Sequence, residues 1–93
     1  MKDPVTEARF EIVNNLGLHA RAATKLVQLA SRFACEIEIS RDGQTANAKS
    51  VMGVLLLCGA KGTIVRVAAS GPSAEEAVQA IGGLIASKFG ESA

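Results

Sequence analysis

The chain has no tryptophan or tyrosine and three phenylalanines in 93 residues, so it lacks the aromatic platforms on which unpaired bases stack. Lysine and arginine number 10 against 9 acids, a formal charge of +1, which denies it the basic footprint of a nucleic-acid binder. With one histidine and two distant cysteines, Cys35 and Cys58, no zinc site of the usual composition can be assembled, and no metal or cofactor is expected. Two cysteines are also too few for the disulfide framework of a small secreted domain; both read as inert core thiols, and the cytoplasm is the expected location. Met1-Lys2-Asp3-Pro4 runs into charged residues without opening an apolar stretch, so it does not resemble a secretory signal. The longest apolar run, Val51 to Ala60, is interrupted by Gly53 and Gly59 and is about half a membrane span, so no membrane insertion is expected.

What is present is a 48% hydrophobic sequence short enough to form one domain over residues 1–93, with no room for separate substrate and cofactor domains. Glu7 to Val13 alternates charged and apolar residues, the period of a strand with Ala8, Phe10 and Ile12 inward. Ala23, Leu26, Val27, Ala30 and Phe33 recur at three and four, predicting an amphipathic helix from about Ala20 to Arg32. Cys35 to Ser40 alternates again, Asp42-Gly43 signals a tight hairpin, and Gln44 to Ala48 is the returning strand. Ser50 is placed to cap a short helix from Val51 to Leu57, ended by Gly59 or Gly62. Thr63 to Ala69 reads as a fourth strand. Ser73 and Glu76 have capping-box spacing before a helix carrying Ala74, Ala77, Val78, Ile81, Leu84, Ile85 and Phe89. The order βαββαβα with half-polar strands predicts an α+β fold, a four-stranded antiparallel sheet covered on one face by three helices.

His19 stands where a glycine turn gives way to a helix. At an N-cap its ring would lie beside unpaired amides and the positive end of the helix dipole, a place that attracts phosphate and favours the neutral, nucleophilic imidazole. Arg21 would then offer a cationic fork to phosphoryl oxygens. On spacing alone, both residues also read as ordinary solvated side chains at a helix start.

Gly17-Leu18-His19-Ala20-Arg21-Ala22-Ala23 resembles the phosphohistidine signature of the HPr family, phosphocarriers of the bacterial phosphoenolpyruvate-dependent phosphotransferase system. Lys49-Ser50-Val51-Met52-Gly53-Val54-Leu55, followed by Ala60-Lys61-Gly62, resembles that family's regulatory serine segment. The resemblance runs from about Arg9 to Phe89 and implies the open-faced β-sandwich of the family. It implies that His19 takes a phosphoryl group on Nδ1 from phosphorylated enzyme I and passes it to a histidine of an enzyme IIA domain. By the same resemblance, Arg21 stabilises the phosphate, and the amides of Ala20 and Arg21 cradle it. Such a protein is a carrier rather than a turnover enzyme.

The resemblance also implies phosphorylation of Ser50 by an HPr kinase/phosphorylase, beyond its capping role. It implies partner contacts through Ala20, Thr24, Lys25 and Gln28 on the first helix and Val51, Met52 and Leu55 on the second. The apolar helix after Ser50 cannot bury every side, so Met52 with one or both of Leu55 and Leu56 is expected on the surface beside His19 as a docking patch. Arg21, Lys25, Lys49 and Lys61 are expected to form a basic rim. Ala22 replaces a proline common in sugar-system members, and Leu16 a small polar residue; both features resemble the nitrogen-related paralogue and leave the choice of enzyme I open. A different class of protein, a regulatory binding module in which His19 is vestigial, is disfavoured by the intact His19 and Arg21. A hydrolase or kinase lacks a nucleotide-binding glycine loop and a paired acid and base.

Overall fold

The structure is a computed structural model that describes residues 5–93; the reading of the first four residues lies outside the described residues. Alternation along the first segment produces strand β1, Val5–Glu11, with Glu7, Arg9 and Glu11 exposed and Ala8 and Phe10 turned to the helix layer. Helix α1, Ala20–Ala30, buries Ala22, Ala23, Leu26 and Ala30. It ends two residues before the expected Arg32, because its last turn tightens: the amides of Arg32 and Phe33 donate to the carbonyls of Leu29 and Ala30, three residues back.

Strands β2, Glu36–Arg41, and β3, Gln44–Asn47, form the expected hairpin, with Asp42 (φ 48°) and Gly43 (φ 81°) as the two turn residues of positive φ. Ser50 caps helix α2, Val51–Leu56, its Oγ accepting from the Gly53 amide at 3.1 Å. The glycine stop expected at Gly59 or Gly62 is not used. Cys58 turns left-handed (φ 52°), and Arg41 Nη1 reaches across to donate to the Leu57 carbonyl at 2.7 Å, satisfying an acceptor that the helix end leaves unpaired. Cys58 is therefore exposed rather than a core thiol, whereas Cys35 is buried as expected.

Strand β4, Ile64–Ser70, buries Val65, Val67 and Ala69 as its alternation requires. Helix α3, Ala74–Ala86, follows a left-handed entry residue, Ser73 (φ 60°, ψ 25°), with no side-chain cap. The capping box predicted for Ser73 and Glu76 does not form, because it needs an extended N-cap backbone. Glu75 and Glu76 instead place negative charge in the first turn, where the helix dipole favours it. Phe89 is fully buried but is not part of α3. The helix stops at Ala86, and Lys88, Phe89 and Gly90 all have positive φ, so the chain doubles back and inserts the ring from the reversed segment.

The strands run antiparallel in the order β1-β4-β2-β3. The three helices pack on one face over Leu26, Ile39, Val54, Val67, Ile81 and Phe89, which fixes the α+β open-faced sandwich. Gly82 of α3 sits so close to β1 that a Cβ there would lie 2.3 Å from the Phe10 ring. The other sheet face is open, and on it Arg66 donates to Glu7 and, at 3.2 Å, to Glu38. Among the described residues no helix is long and apolar enough to cross a membrane.

Candidate functional site

The loop between β1 and α1 is held in one shape by its backbone. The Gly17 amide donates to the Asn14 carbonyl, the Leu18 amide to the Gly59 carbonyl at 2.8 Å, and the buried Asn14 side chain to the Gly17 carbonyl at 2.9 Å. Gly17 has φ 65°, and a Cβ on it would lie 2.4 Å from the Gly59 carbonyl oxygen, so the crossing of the two chains requires glycine. The chain leaves this crossing with His19 as the N-cap of α1, in extended conformation (φ −77°, ψ 179°).

Nδ1 of His19 accepts from the Arg21 amide at 3.3 Å, and Nε2 lies 2.5 Å from Oε2 of Glu91. A ring that accepts at Nδ1 and meets a carboxylate at Nε2 carries its proton on Nε2. Asn14 Nδ2 donates to the other Glu91 oxygen at 3.0 Å, the Asn15 amide donates to the Ala93 carbonyl, and Lys25 Nζ donates to the Phe89 carbonyl at 2.7 Å. The reversed segment after α3 thus straps the C-terminal residues over the loop and delivers a carboxylate to the imidazole.

The sequence reading missed Glu91 and Asn14. The signal for them was slight, a single acid after Gly90 and an amide in the turn before Gly17. The His19 bond and then the Asn14 amide hold the Glu91 carboxyl below its ordinary value; partial desolvation opposes them, and the charges of His19 and Arg21 add to the lowering. A depressed carboxyl stabilises the fold fully above the ordinary carboxylate range and loses that contribution as pH falls through the lowered folded value. Followed by the side-chain carboxyl carbon resonance, Glu91 is expected to titrate below a solvated glutamate, and His19→Ala to move that midpoint back up. An ordinary midpoint would contradict the strap.

Of the two amides expected to cradle a phosphate, that of Arg21 is turned to the imidazole. Among the described residues the Arg21 amide alone bonds the ring at Nδ1, while the Arg21 side chain is exposed and in no ion pair. Ala20, Thr24 and Gln28 are exposed on α1, and Lys25 is half-buried. On α2, Met52 is exposed, Val51 and Leu55 are partly buried, and Leu56, one helical turn after Met52, is the more exposed leucine. Leu16, in the loop before His19, adds a third exposed apolar side chain.

The basic rim is smaller than expected. Lys25 is tied to Phe89, and Lys49 Nζ donates to the carbonyls of Phe33 and Cys35, because each long side chain reaches main-chain acceptors that the folded turns leave open. Arg21 and Lys61 remain beside the loop, Lys61 bonding the Asn15 side chain at 3.0 Å. No residue of the loop lines either of two surface hollows, about 760 Å³ beside Ser73 and about 480 Å³ over the open sheet face. No group of three or more metal-ligating side chains forms among the described residues.

A histidine at a helix N-terminus, shallowly exposed among small and apolar side chains, is built to meet another protein rather than to enclose a small substrate. That is the architecture of a histidine phosphocarrier. Residues 6–87 match the family model for the PTS HPr component phosphorylation site. The chain is 48% identical to the phosphocarrier protein HPr of Cupriavidus necator over 80 residues, 86% of this chain and 90% of that protein. It is 45% identical to the phosphocarrier protein NPr of Shewanella violacea over 85 residues, 91% and 93% of the two chains. The crystal structure of HPr-C-His from Thermoanaerobacter tengcongensis superposes with a TM-score of 0.91 at 44% identity, covering 95% of this chain and 99% of that one.

The chain belongs to the HPr family. It is a phosphocarrier that transfers phosphoryl groups through a histidine in the phosphotransferase system, not a turnover enzyme.

Proposed function

We propose that His19 is the acceptor and donor and that Nδ1 is its nucleophilic atom. One observation carries this reading: Nε2 is taken by Glu91, while Nδ1 is covered only by a long, readily exchanged bond from a main-chain amide. In the forward step the Nδ1 lone pair attacks the phosphorus of phosphorylated enzyme I. The new N–P bond forms as the donor's N–P bond breaks, and the donor nitrogen keeps that electron pair. The Arg21 amide then turns from Nδ1 to a phosphoryl oxygen, where the helix dipole and the Arg21 guanidinium also act. The Ala20 amide completes this cradle. The positive ring left by the transfer keeps its Nε2 proton, and the Glu91 carboxylate stabilises it. A histidine of an enzyme IIA domain takes the group onward by the same exchange in reverse. Positioning and charge supply most of the rate, since phosphoryl transfer asks little other covalent work of the protein.

Docking to enzyme I and enzyme IIA uses Ala20, Thr24, Lys25 and Gln28 on α1, with Val51, Met52 and Leu55 on α2, and we add Leu16 and Leu56 for their exposure. Phosphorylation of Ser50 by an HPr kinase/phosphorylase would add about −1.5 to −2 charges at the start of α2, repelling partners that dock through acidic surfaces.

Incubation with phosphoenolpyruvate and an enzyme I, of sugar or nitrogen type, tests the proposal. The expected product gains one phosphoryl mass, labile in acid and stable in base. No such product with either type of enzyme I would overturn it.

A further inference from the structure

Asn14 is the only buried polar residue among the described residues, with none of its surface exposed. Burying an amide is unfavourable unless its hydrogen-bonding groups are met. Those of Asn14 are met unevenly. Both protons of Nδ2 are used, on the Gly17 carbonyl at 2.9 Å and on Glu91 Oε1 at 3.0 Å, whereas Oδ1 has no partner among the described residues. A reversed amide would set Oδ1 against a carbonyl and a carboxylate, so the orientation is fixed. The turn is closed without this side chain, because the Asn14 carbonyl accepts the Gly17 amide and the Gly17 carbonyl accepts the His19 amide at 2.9 Å. A leucine, with the same branched outline, would fill the position and leave no acceptor unmet. What it could not supply is the proton given to Glu91.

The Glu91 carboxylate has two groups to choose between. Its Oε2 lies 2.5 Å from Nε2 of His19, while the exposed Arg21 guanidinium acts on it through charge without a hydrogen bond. A guanidinium attracts a carboxylate strongly and frequently binds both of its oxygens. Such a pair would harm the site twice. Nε2 would lose its acceptor, letting the ring proton move to Nδ1, and the guanidinium would be neutralised. Asn14 opposes both effects. With Oε1 held from the buried side, the carboxylate cannot turn two oxygens to Arg21, and Oε2 stays on the ring.

We propose that Asn14 is a positioning residue for phosphoryl transfer: it holds one oxygen of Glu91, so that the other stays on Nε2 and Arg21 stays free for the phosphate. It touches neither the phosphoryl group nor the partner and acts through Glu91. This role rests on the reading that His19 accepts at Nδ1.

Transfer from phosphorylated enzyme I tests it in Asn14→Leu, which removes the donor, and in Asn14→Ala, which does so without adding bulk; circular dichroism checks that each is folded. The kcat is expected to fall about tenfold with KM unchanged, since a hydrogen bond to a charged group is lost and the docking surface is not altered. In a chain carrying Glu91→Ala the same substitutions are expected to slow transfer no further, because the group they position is gone. Nitrogen resonance of the neutral His19 ring is expected to show the proton on Nε2 in the parent and a growing Nδ1–H form in either variant. An unchanged kcat, a change in KM alone, equal slowing with and without Glu91, or variants whose ring keeps its proton on Nε2 would each overturn the role of Asn14 while leaving Nδ1 as the acceptor. A parent phosphorylated on Nε2 would overturn both.

Discussion

Replacing His19 by alanine is expected to leave a folded protein that takes no phosphoryl group from phosphorylated enzyme I. The chain has no second histidine to replace it. The ring is partly exposed and packs into no core cluster, so its removal costs the fold little beyond the N-cap, about 1 kcal/mol, and the contact to Glu91. His19→Asn should restore the cap, since asparagine is among the best N-cap residues, and still accept nothing. Circular dichroism and mass analysis after incubation with phosphoenolpyruvate and enzyme I separate the two effects. Continued acceptance by a folded alanine variant would mean that another group carries the phosphate.

Gly17→Ala is expected to cost both stability and transfer, although it adds one methyl group. Its positive φ strains any residue with a Cβ, and the methyl would meet the Gly59 carbonyl at 2.4 Å, a backbone atom that cannot rotate aside. Strain and overlap together should cost about 2–5 kcal/mol, read from urea unfolding. Relief requires the two chains to separate, which breaks the Leu18 to Gly59 bond and moves His19. A displacement on the order of 1 Å should slow transfer about a hundredfold. Parent-like stability together with parent-like transfer would refute the role given to this crossing.

Gly17 also shows why part of the site is legible in the sequence. A glycine, a histidine and a helical period are neighbours along the chain, and neighbours are what local propensity describes. Ser50 is a cap by the same reasoning, and Asp42-Gly43 a turn. Glu91 lies 72 residues from His19 and reaches it only because Lys88, Phe89 and Gly90 adopt left-handed backbone together. Non-glycine residues rarely do so, and no local pattern announces it. Phe89 misled for a related reason, since its spacing from Ile85 fits a helix although burial is reached by reversal. Ser73 had capping chemistry without the capping backbone. Lys25 and Lys49 read as surface charges because the carbonyls that hold them come from other parts of the fold. Cys58 followed an apolar run, but its position at the left-handed helix end turned it outward.

Because Glu91 occupies Nε2, Nδ1 is the ring nitrogen expected to take the phosphate. Nitrogen and phosphorus nuclear magnetic resonance of the phosphorylated protein, with its histidine labelled at both ring nitrogens, tests it most directly. Phosphorus coupling to Nδ1 is expected, with Nε2 still carrying its proton. Coupling to Nε2 would contradict the claim.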